Sequence, residues 1–223
     1  LPDSAIKRIR ELDVDLFVAS SEEAALGEIG EAEAFYGRMT PALLAAGANL
    51  KWVQATSAGL DNYFFPELRE SEVQMTNLRG IYSDVIADHV FGYILCFARN
   101  LHLYLRQQLN RHWEAIGGEE ARSSFVAGPG VVSAMDRAHL HMSDCTLGIV
   151  GLGSIGGEIA KRGSWFGMRV IAVDPVRTEM PADVAALWSL DRLSDLLAKS
   201  DFVVIAAPHT PQTEGLFDRT KFQ

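Results

Sequence analysis

The sequence predicts an α/β protein with parallel sheets, organised as two domains. Three observations predict it. Short apolar runs alternate with short helical patterns on both sides of the chain's middle. A long, strongly apolar helical pattern separates the two halves. A glycine-rich turn stands between a buried strand and a helix in the second half. Alternation of this kind is the mark of a parallel sheet with flanking helices.

In the first half, Ala5 to Leu12 reads as a helix, Asp15 to Ala19 as a strand and Glu22 to Leu26 as a helix. Ala34 to Tyr36 is the next strand. Thr40-Pro41 opens a helix, with proline at the first helical position, where its missing N–H costs nothing. Lys51 to Gln54 and Val73 to Thr76 complete the strands.

Residues 83 to 113 read as one long helix. Ser83 can cap it, and Asp84 and Asp88 fall in its first turns, where carboxylates suit the helix dipole. Val90, Phe91, Ile94, Leu95, Ala98, Leu101, Leu105 and Leu109 form an apolar stripe, and Tyr93, Cys96 and Phe97 fill much of the other side. A helix apolar nearly all round is buried between layers or subunits. It marks the seam between a domain of residues 1–82 and one of 83–223. Residues 114 to 143, with Gly117-Gly118 and Gly128-Pro129-Gly130, read as a long loop. The alternation then resumes with a strand at Thr146 to Val150, a helix at Ile155 to Trp165, a strand at Arg169 to Val173, a helix at Asp191 to Ala198 and a strand at Phe202 to Ala206.

Bulk composition narrows the function. In 223 residues, 48% are hydrophobic and 22% charged, an ordinary globular balance. A net charge of −9 argues against a binder of nucleic-acid backbones, which needs a basic face. No apolar run is long enough for a bilayer, and no signal peptide is visible. Cys96 and Cys145, each in an apolar segment, read as buried free thiols of a reducing compartment, so a cytoplasmic location is expected. Two cysteines give no metal-site spacing. Leu1 is not an initiator methionine and Phe222-Gln223 falls just after a turn, so the chain reads as a fragment.

The chemistry is carried by Gly151-Leu152-Gly153-Ser154-Ile155-Gly156, which fits G-x-G-x-x-G. The pattern alone is weak. Here it follows a buried strand, opens a helix and precedes a second strand that ends in Asp174, 18 residues past Gly156, close to the interval of about 20 expected of a dinucleotide site. Gly151 permits the tight turn, Gly153 lets backbone approach a pyrophosphate, and Gly156 lets helix and strand pack closely. The helix N-terminus offers N–H groups and a positive dipole end to the phosphates. Asp174 can accept from the adenosine ribose and repels a 2′-phosphate, which favours NAD over NADP. Arg177, three residues on, can soften this preference for NAD, although a solvated loop charge is the preferred reading. Ala206 to Pro211 lies at the carboxyl end of a parallel strand, where such sheets place ligands, and His209 reads there as a loop histidine rather than an acid–base residue. Thr56 to Asn62 is a small-residue loop after a strand. It can present backbone N–H groups to an anion, although composition alone favours a plain turn.

Taken together, these segments resemble the D-2-hydroxyacid dehydrogenase family. The resemblance runs from about Trp52 to Phe217. It rests on Val53-Gln54-Ala55-Thr56-Ser57-Ala58-Gly59-Leu60-Asp61, Asn77 with Gly80, Ile86-Ala87-Asp88-His89-Val90, the glycine fingerprint with Asp174, and Pro208-His209-Thr210-Pro211-Gln212-Thr213-Glu214-Gly215-Leu216. Residues 1–50 match only in pattern. The resemblance implies flavodoxin-like and Rossmann-like domains with a cleft between them, and hydride transfer between NAD and the C2 of a small 2-hydroxy or 2-oxo acid. A formate- or phosphite-type dehydrogenase and an NAD-sensing, corepressor-like binding protein are the rival readings on the same fold. By position, Ala58 and Gly59 fall on a loop that binds the substrate carboxylate, and Asn77 at a second position of the cleft. Ser154, Ile155, Asp174, Ala207, Pro208 and His209 join the glycines in holding the dinucleotide. Arg79 reads either as a further charged contact to substrate or as a solvent-facing arginine. The family's catalytic arginine, acidic residue and histidine fall beyond Gln223, so the resemblance assigns no catalytic residue in this chain. A homodimer built on the long helix is implied, with no metal. Three departures stand out: Asp88 where the family commonly has Glu, Leu78-Arg79 in place of the common Thr-Pro, and a longer loop at 114 to 141.

Overall fold

The computed structural model of the protein describes residues 2–60, 63–118 and 132–222. The chain divides into two compact units, Leu1–Arg79 and Gly80–Gln223.

In the first unit, α1 (Asp3–Arg10) and α2 (Glu22–Glu28) precede β1 (Ala34–Tyr36). Then come α3 (Pro41–Ala46), β2 (Trp52–Gln54), α4 (Pro66–Glu70) and β3 (Gln74–Thr76). The three strands form a parallel sheet in the order β1-β2-β3, with Phe35, Val53 and Met75 in register. Ala25, Ile29, Leu43, Leu50, Val53 and Leu68 form the buried core. The start of α3 follows its sequence signal. Thr40 accepts from the Leu43 N–H and donates to Glu22, so one hydroxyl caps α3 and ties it to the start of α2. Phe65-Pro66 repeats the proline signal at α4, a helix absent from the sequence expectations.

The expected strand at Asp15 to Ala19 does not form. Neighbouring Phe17 and Val18 are both about half exposed, at 55% and 49%, so neither face of the segment is buried. β-propensity reflects packing against neighbours, and without a ladder partner it does not hold a strand.

The second unit opens with α5 (Ser83–Ala98) and α6 (Leu101–Leu109), then α7 (Ala134–Ala138) and β4 (Thr146–Val150). It continues with α8 (Ser154–Trp165), β5 (Arg169–Val173), β6 (Ala186–Trp188), α9 (Leu193–Lys199) and β7 (Phe202–Ile205). All four strands are parallel, in the order β6-β5-β4-β7. The strand order therefore reverses between β4 and β7. That reversal is the point at which open α/β sheets bind ligands, outside the carboxyl ends of the strands. Leu147, Ile149, Ile159, Val170 and Ala172 are fully buried between sheet and helices.

The helix expected over 83–113 is two helices. Asn100 takes a left-handed conformation (φ 55°), its side-chain amide donates to the Ala138 carbonyl at 2.6 Å, and the Leu140 N–H reaches the Ala98 carbonyl at 2.9 Å. The break is set by a distant segment, which periodicity does not register. Ser83 is not a cap either: it is the first helical residue and is buried, after an N-cap Tyr82 that makes no side-chain cap bond. The expected loop at 114–143 holds α7, opened by a reciprocal Ser133–Asp136 capping box. Residues 119–131 of that loop, Gly128 and Gly130 among them, lie outside the described residues. β6 was absent from the expected strands because only Ala186, Leu187 and Trp188 form it.

Arg162 joins α8 to α5. Its side chain is only 13% exposed. Nε donates to Asp88 Oδ1 and Nη1 to Glu158 Oε2, both at 2.7 Å, and Nη2 reaches the Asp84 carbonyl at 3.1 Å. Asp88, one of the departures from the family pattern, shares this arginine with Glu158.

Candidate functional site

The turn between β4 and α8 is shaped by what its glycines cannot carry. Gly151 has φ +92°, and a Cβ there would lie 2.7 Å from both the backbone N and the Cα of Ala207. The bare backbone of one loop thus rests on the other at the β4/β7 switch point. A Cβ on Gly156 would come within 2.1 Å of the Gly151 carbonyl oxygen, so only glycine lets the first turn of α8 close on the turn before it. Gly153 is the N-cap, with Ser154 and Ile155 the first two helical residues. The first intrahelical bond runs from the Gly157 N–H to the Gly153 carbonyl at 2.8 Å. The helix thus opens at Gly153, and the start of a helix is the usual basis of a phosphate site.

Asp174 follows β5 and reaches back to this turn. Its Oδ2 accepts from the Leu152 N–H at 2.7 Å, and its Oδ1 from the N–H groups of Val176 and Arg177, both at 2.8 Å. Burial works against ionisation of this carboxyl. The three backbone donors and the Arg177 charge together outweigh burial and hold it below the usual carboxylate range. Arg177 is exposed, but it is more than a solvated charge. Its guanidinium donates to the Leu152 carbonyl at 3.0 Å and to the Glu179 carbonyl at 3.3 Å. Nothing in the sequence marks this pairing beyond the three-residue spacing from Asp174.

Across the switch point, the Ala206 N–H extends the ladder to the Val150 carbonyl at 2.8 Å. The loop that follows carries Ala207, Pro208 and His209, with Pro208 and His209 exposed. Thr213 holds it: its hydroxyl donates to the Pro208 carbonyl at 2.7 Å and accepts from the Thr210 N–H at 2.8 Å. The glycine turn, Asp174 and Ala207 therefore converge on one end of the sheet. That cradle fits a dinucleotide, because Gly151 and Gly156 stand where a side chain would displace backbone.

In the first unit, the loop after β2 and the loop after β3 are tied together. The Asn77 side-chain amide donates to the Ala58 carbonyl at 2.7 Å, and the Leu78 N–H to the Ser57 carbonyl at 3.1 Å. Asn77 thus braces the Ala58–Gly59 loop as well as lying beside it. Gly59 and Arg79 are exposed; Asp61 and Asn62 lie outside the described residues. Among the described residues there is no group of three or more side chains able to hold a metal ion, and no helix long and apolar enough to cross a membrane. Along α5 and α6, Val85, Tyr93, Phe97, Leu101, Leu105 and Leu109 are each more than half exposed.

Comparison with known proteins gives the same picture from outside. Residues 91–223 match the family model of the NAD binding domain of D-isomer specific 2-hydroxyacid dehydrogenases. A hydroxypyruvate reductase of Thermotoga maritima is 28% identical over 186 residues, which are 82% of this chain and 52% of that protein. A D-3-phosphoglycerate dehydrogenase of Methanocaldococcus jannaschii is 25% identical over 224 residues, 98% of this chain and 39% of that protein. A crystal structure of a D-isomer specific 2-hydroxyacid dehydrogenase family protein from Aeromonas salmonicida superposes with a TM-score of 0.72 at 29% identity, covering 94% of this chain and 61% of that one. The chain spans about half, or less, of the length of these curated relatives.

Proposed function

Because the chain belongs to the D-isomer specific 2-hydroxyacid dehydrogenase family, we propose that the protein moves a hydride between NAD and the C2 of a small 2-hydroxy or 2-oxo acid. The observation that carries this reading is the convergence of the glycine turn, Asp174 and Ala207 at the β4/β7 switch point. Gly80–Gln223 serves as the NAD-binding domain and Leu1–Arg79 as the substrate domain. Bound NAD supplies the hydride chemistry. The chain's own residues supply position and charge. Gly151, Gly153 and Gly156 admit the pyrophosphate to the start of α8, where Ser154 and Ile155 lie. Ala207, Pro208 and His209 border the adenosine end. Each carboxylate oxygen has two acceptor sites. Oδ1 of Asp174 uses both on backbone, while Oδ2 uses one and keeps one for a ribose hydroxyl.

On the substrate side, the backbone N–H groups of Ala58 and Gly59 bind the carboxylate, in a loop braced by Asn77. Charge-assisted bonds of this type are roughly twice as strong as neutral ones. Arg79, on the adjoining loop, adds a charged contact and favours substrates with a further anionic or polar group.

Steady-state kinetics with glyoxylate, hydroxypyruvate and pyruvate test this reading in the full-length protein, because the resemblance assigns no catalytic residue to residues 1–223. Turnover is expected with at least one of them, and kcat/KM with NADH should exceed that with NADPH by at least about tenfold, or 1.4 kcal/mol. NADH binding without turnover of any 2-oxo acid would sink the enzyme reading in favour of an NAD sensor. A preference for NADPH would overturn the role given to Asp174.

The protein works as a homodimer closed over α5 and α6, whose exposed apolar side chains suit a partner surface. Replacing both Phe97 and Leu105 by glutamate should halve the mass measured by analytical ultracentrifugation while leaving the circular dichroism unchanged. A mass that stays dimeric places the interface elsewhere. A cytoplasmic location suits the two free thiols, Cys145 buried and Cys96 half-buried.

A further inference from the structure

We propose that Arg177 is a positioning residue for the dinucleotide: its grip on the Leu152 carbonyl sets the direction of the Gly153 N–H at the mouth of α8. The inference rests on the reading of the glycine turn as the NAD site. In a trans peptide unit the carbonyl and the following N–H share a plane and point opposite ways. The unit joining Leu152 to Gly153 carries the Leu152 carbonyl, on which Arg177 Nη1 sits at 3.0 Å. The Gly153 N–H therefore faces away from Arg177. The preceding unit carries the Leu152 N–H, held by Asp174 Oδ2 at 2.7 Å. Its carbonyl, that of Gly151, faces Gly156, whose Cβ position lies 2.1 Å away.

Two consecutive peptide units are thus pinned from outside by an acid and a base three residues apart. The turn needs this. Leu152 is flanked by two glycines, the residue type with the widest backbone freedom, and its own side chain, 1% exposed, is buried beneath the turn. Arg177 is itself held in place, since its N–H donates to Asp174 Oδ1 at 2.8 Å and its Nε to the Glu179 carbonyl at 3.3 Å. A pre-oriented guanidinium loses little freedom on making the contact.

The test compares Arg177→Ala and Arg177→Lys with the unmodified protein, by calorimetric titration with NADH, ADP-ribose and adenosine at low and high salt. Adenosine lacks the pyrophosphate and does not use the glycine turn. Arg177→Ala should weaken NADH and ADP-ribose about tenfold at both salt levels, the scale of one bond to a charged group. Adenosine should weaken by less than about twofold on the same scale, and the melting temperature should hold. Lysine, which also donates to a carbonyl, should restore most of the affinity. Unchanged ADP-ribose affinity overturns the proposal, as does an equal loss for adenosine. A loss that vanishes at high salt also overturns it, because screening would then identify a direct charge contact with phosphate. If the unmodified protein binds neither NADH nor ADP-ribose, the reading of the NAD site fails first. If it binds both and the variants match it, only the role of Arg177 fails.

Discussion

Gly156→Ala should abolish measurable NADH binding and destabilise the protein, although alanine is the better helix former. The added Cβ would stand 2.1 Å from the Gly151 carbonyl oxygen and 3.3 Å from Ile149 Cγ2. Backbone cannot yield by rotating a side chain, so either α8 or the turn must move by about an ångström. Displacement on that scale can cost about 100-fold in a site that depends on alignment. Overpacking of a well-filled interior adds about 1–3 kcal/mol of lost stability. Gly157→Ala is the internal control. It lies one residue on in the same helix, and its Cβ position has nothing within 4 Å. There alanine should gain about 0.5–1 kcal/mol from helix propensity and leave NADH affinity unchanged. NADH titration and chemical denaturation of the pair check both halves. A Gly156→Ala protein that binds NADH within about threefold of the original, under 1 kcal/mol, would reduce the fingerprint's third glycine to filler.

The cofactor half of the protein was legible because each signal is local and has one geometric cause. Gly151, Gly153 and Gly156 follow a largely buried strand, and Asp174 follows the next one. The order β6-β5-β4-β7 is what such a unit builds. Two of the differences in strand and helix assignment were of another kind. Asp15 to Ala19 has a strand's composition, but whether it pairs depends on residues far along the chain. The break at Asn100 is decided by bonds to Ala138 and Leu140, some forty residues on. Side-chain roles were half legible. The sequence placed Asn77 and Ala58 near each other by resemblance, but their bond, which makes Asn77 a brace, follows from two loop ends meeting. Arg177 was misjudged because its partner is a backbone carbonyl, and any residue at position 152 would supply one.

Asp174→Ala should cost both stability and cofactor affinity, and the stability loss should depend on pH in one direction. The substitution strips an ionised acceptor from three backbone N–H groups. Those of Val176 and Arg177 lie in an exposed loop and regain water. The Leu152 N–H belongs to a residue 1% exposed and does not. An orphaned buried donor costs about 1–3 kcal/mol, and that range is the expected loss at neutral pH. The sign of the pH dependence follows from the lowered pKa of this carboxyl. Above its unfolded value, near pH 3.9, the carboxylate is ionised in both states and its bonds contribute in full. As pH falls below that value the unfolded chain takes up the proton first, and the contribution fades as pH passes through the lower folded value. The stability gap between the unmodified protein and Asp174→Ala should therefore be level from neutral pH to about pH 5 and should narrow below about pH 4. Comparing the two proteins by denaturant titration cancels the other carboxylates. A gap that is absent at neutral pH, or that widens in acid, would contradict the anchoring role. NADH affinity should fall with the gap open, because the ribose acceptor and the hold on Leu152 go together. NADPH affinity should fall less, because the same substitution removes the charge that repels its 2′-phosphate.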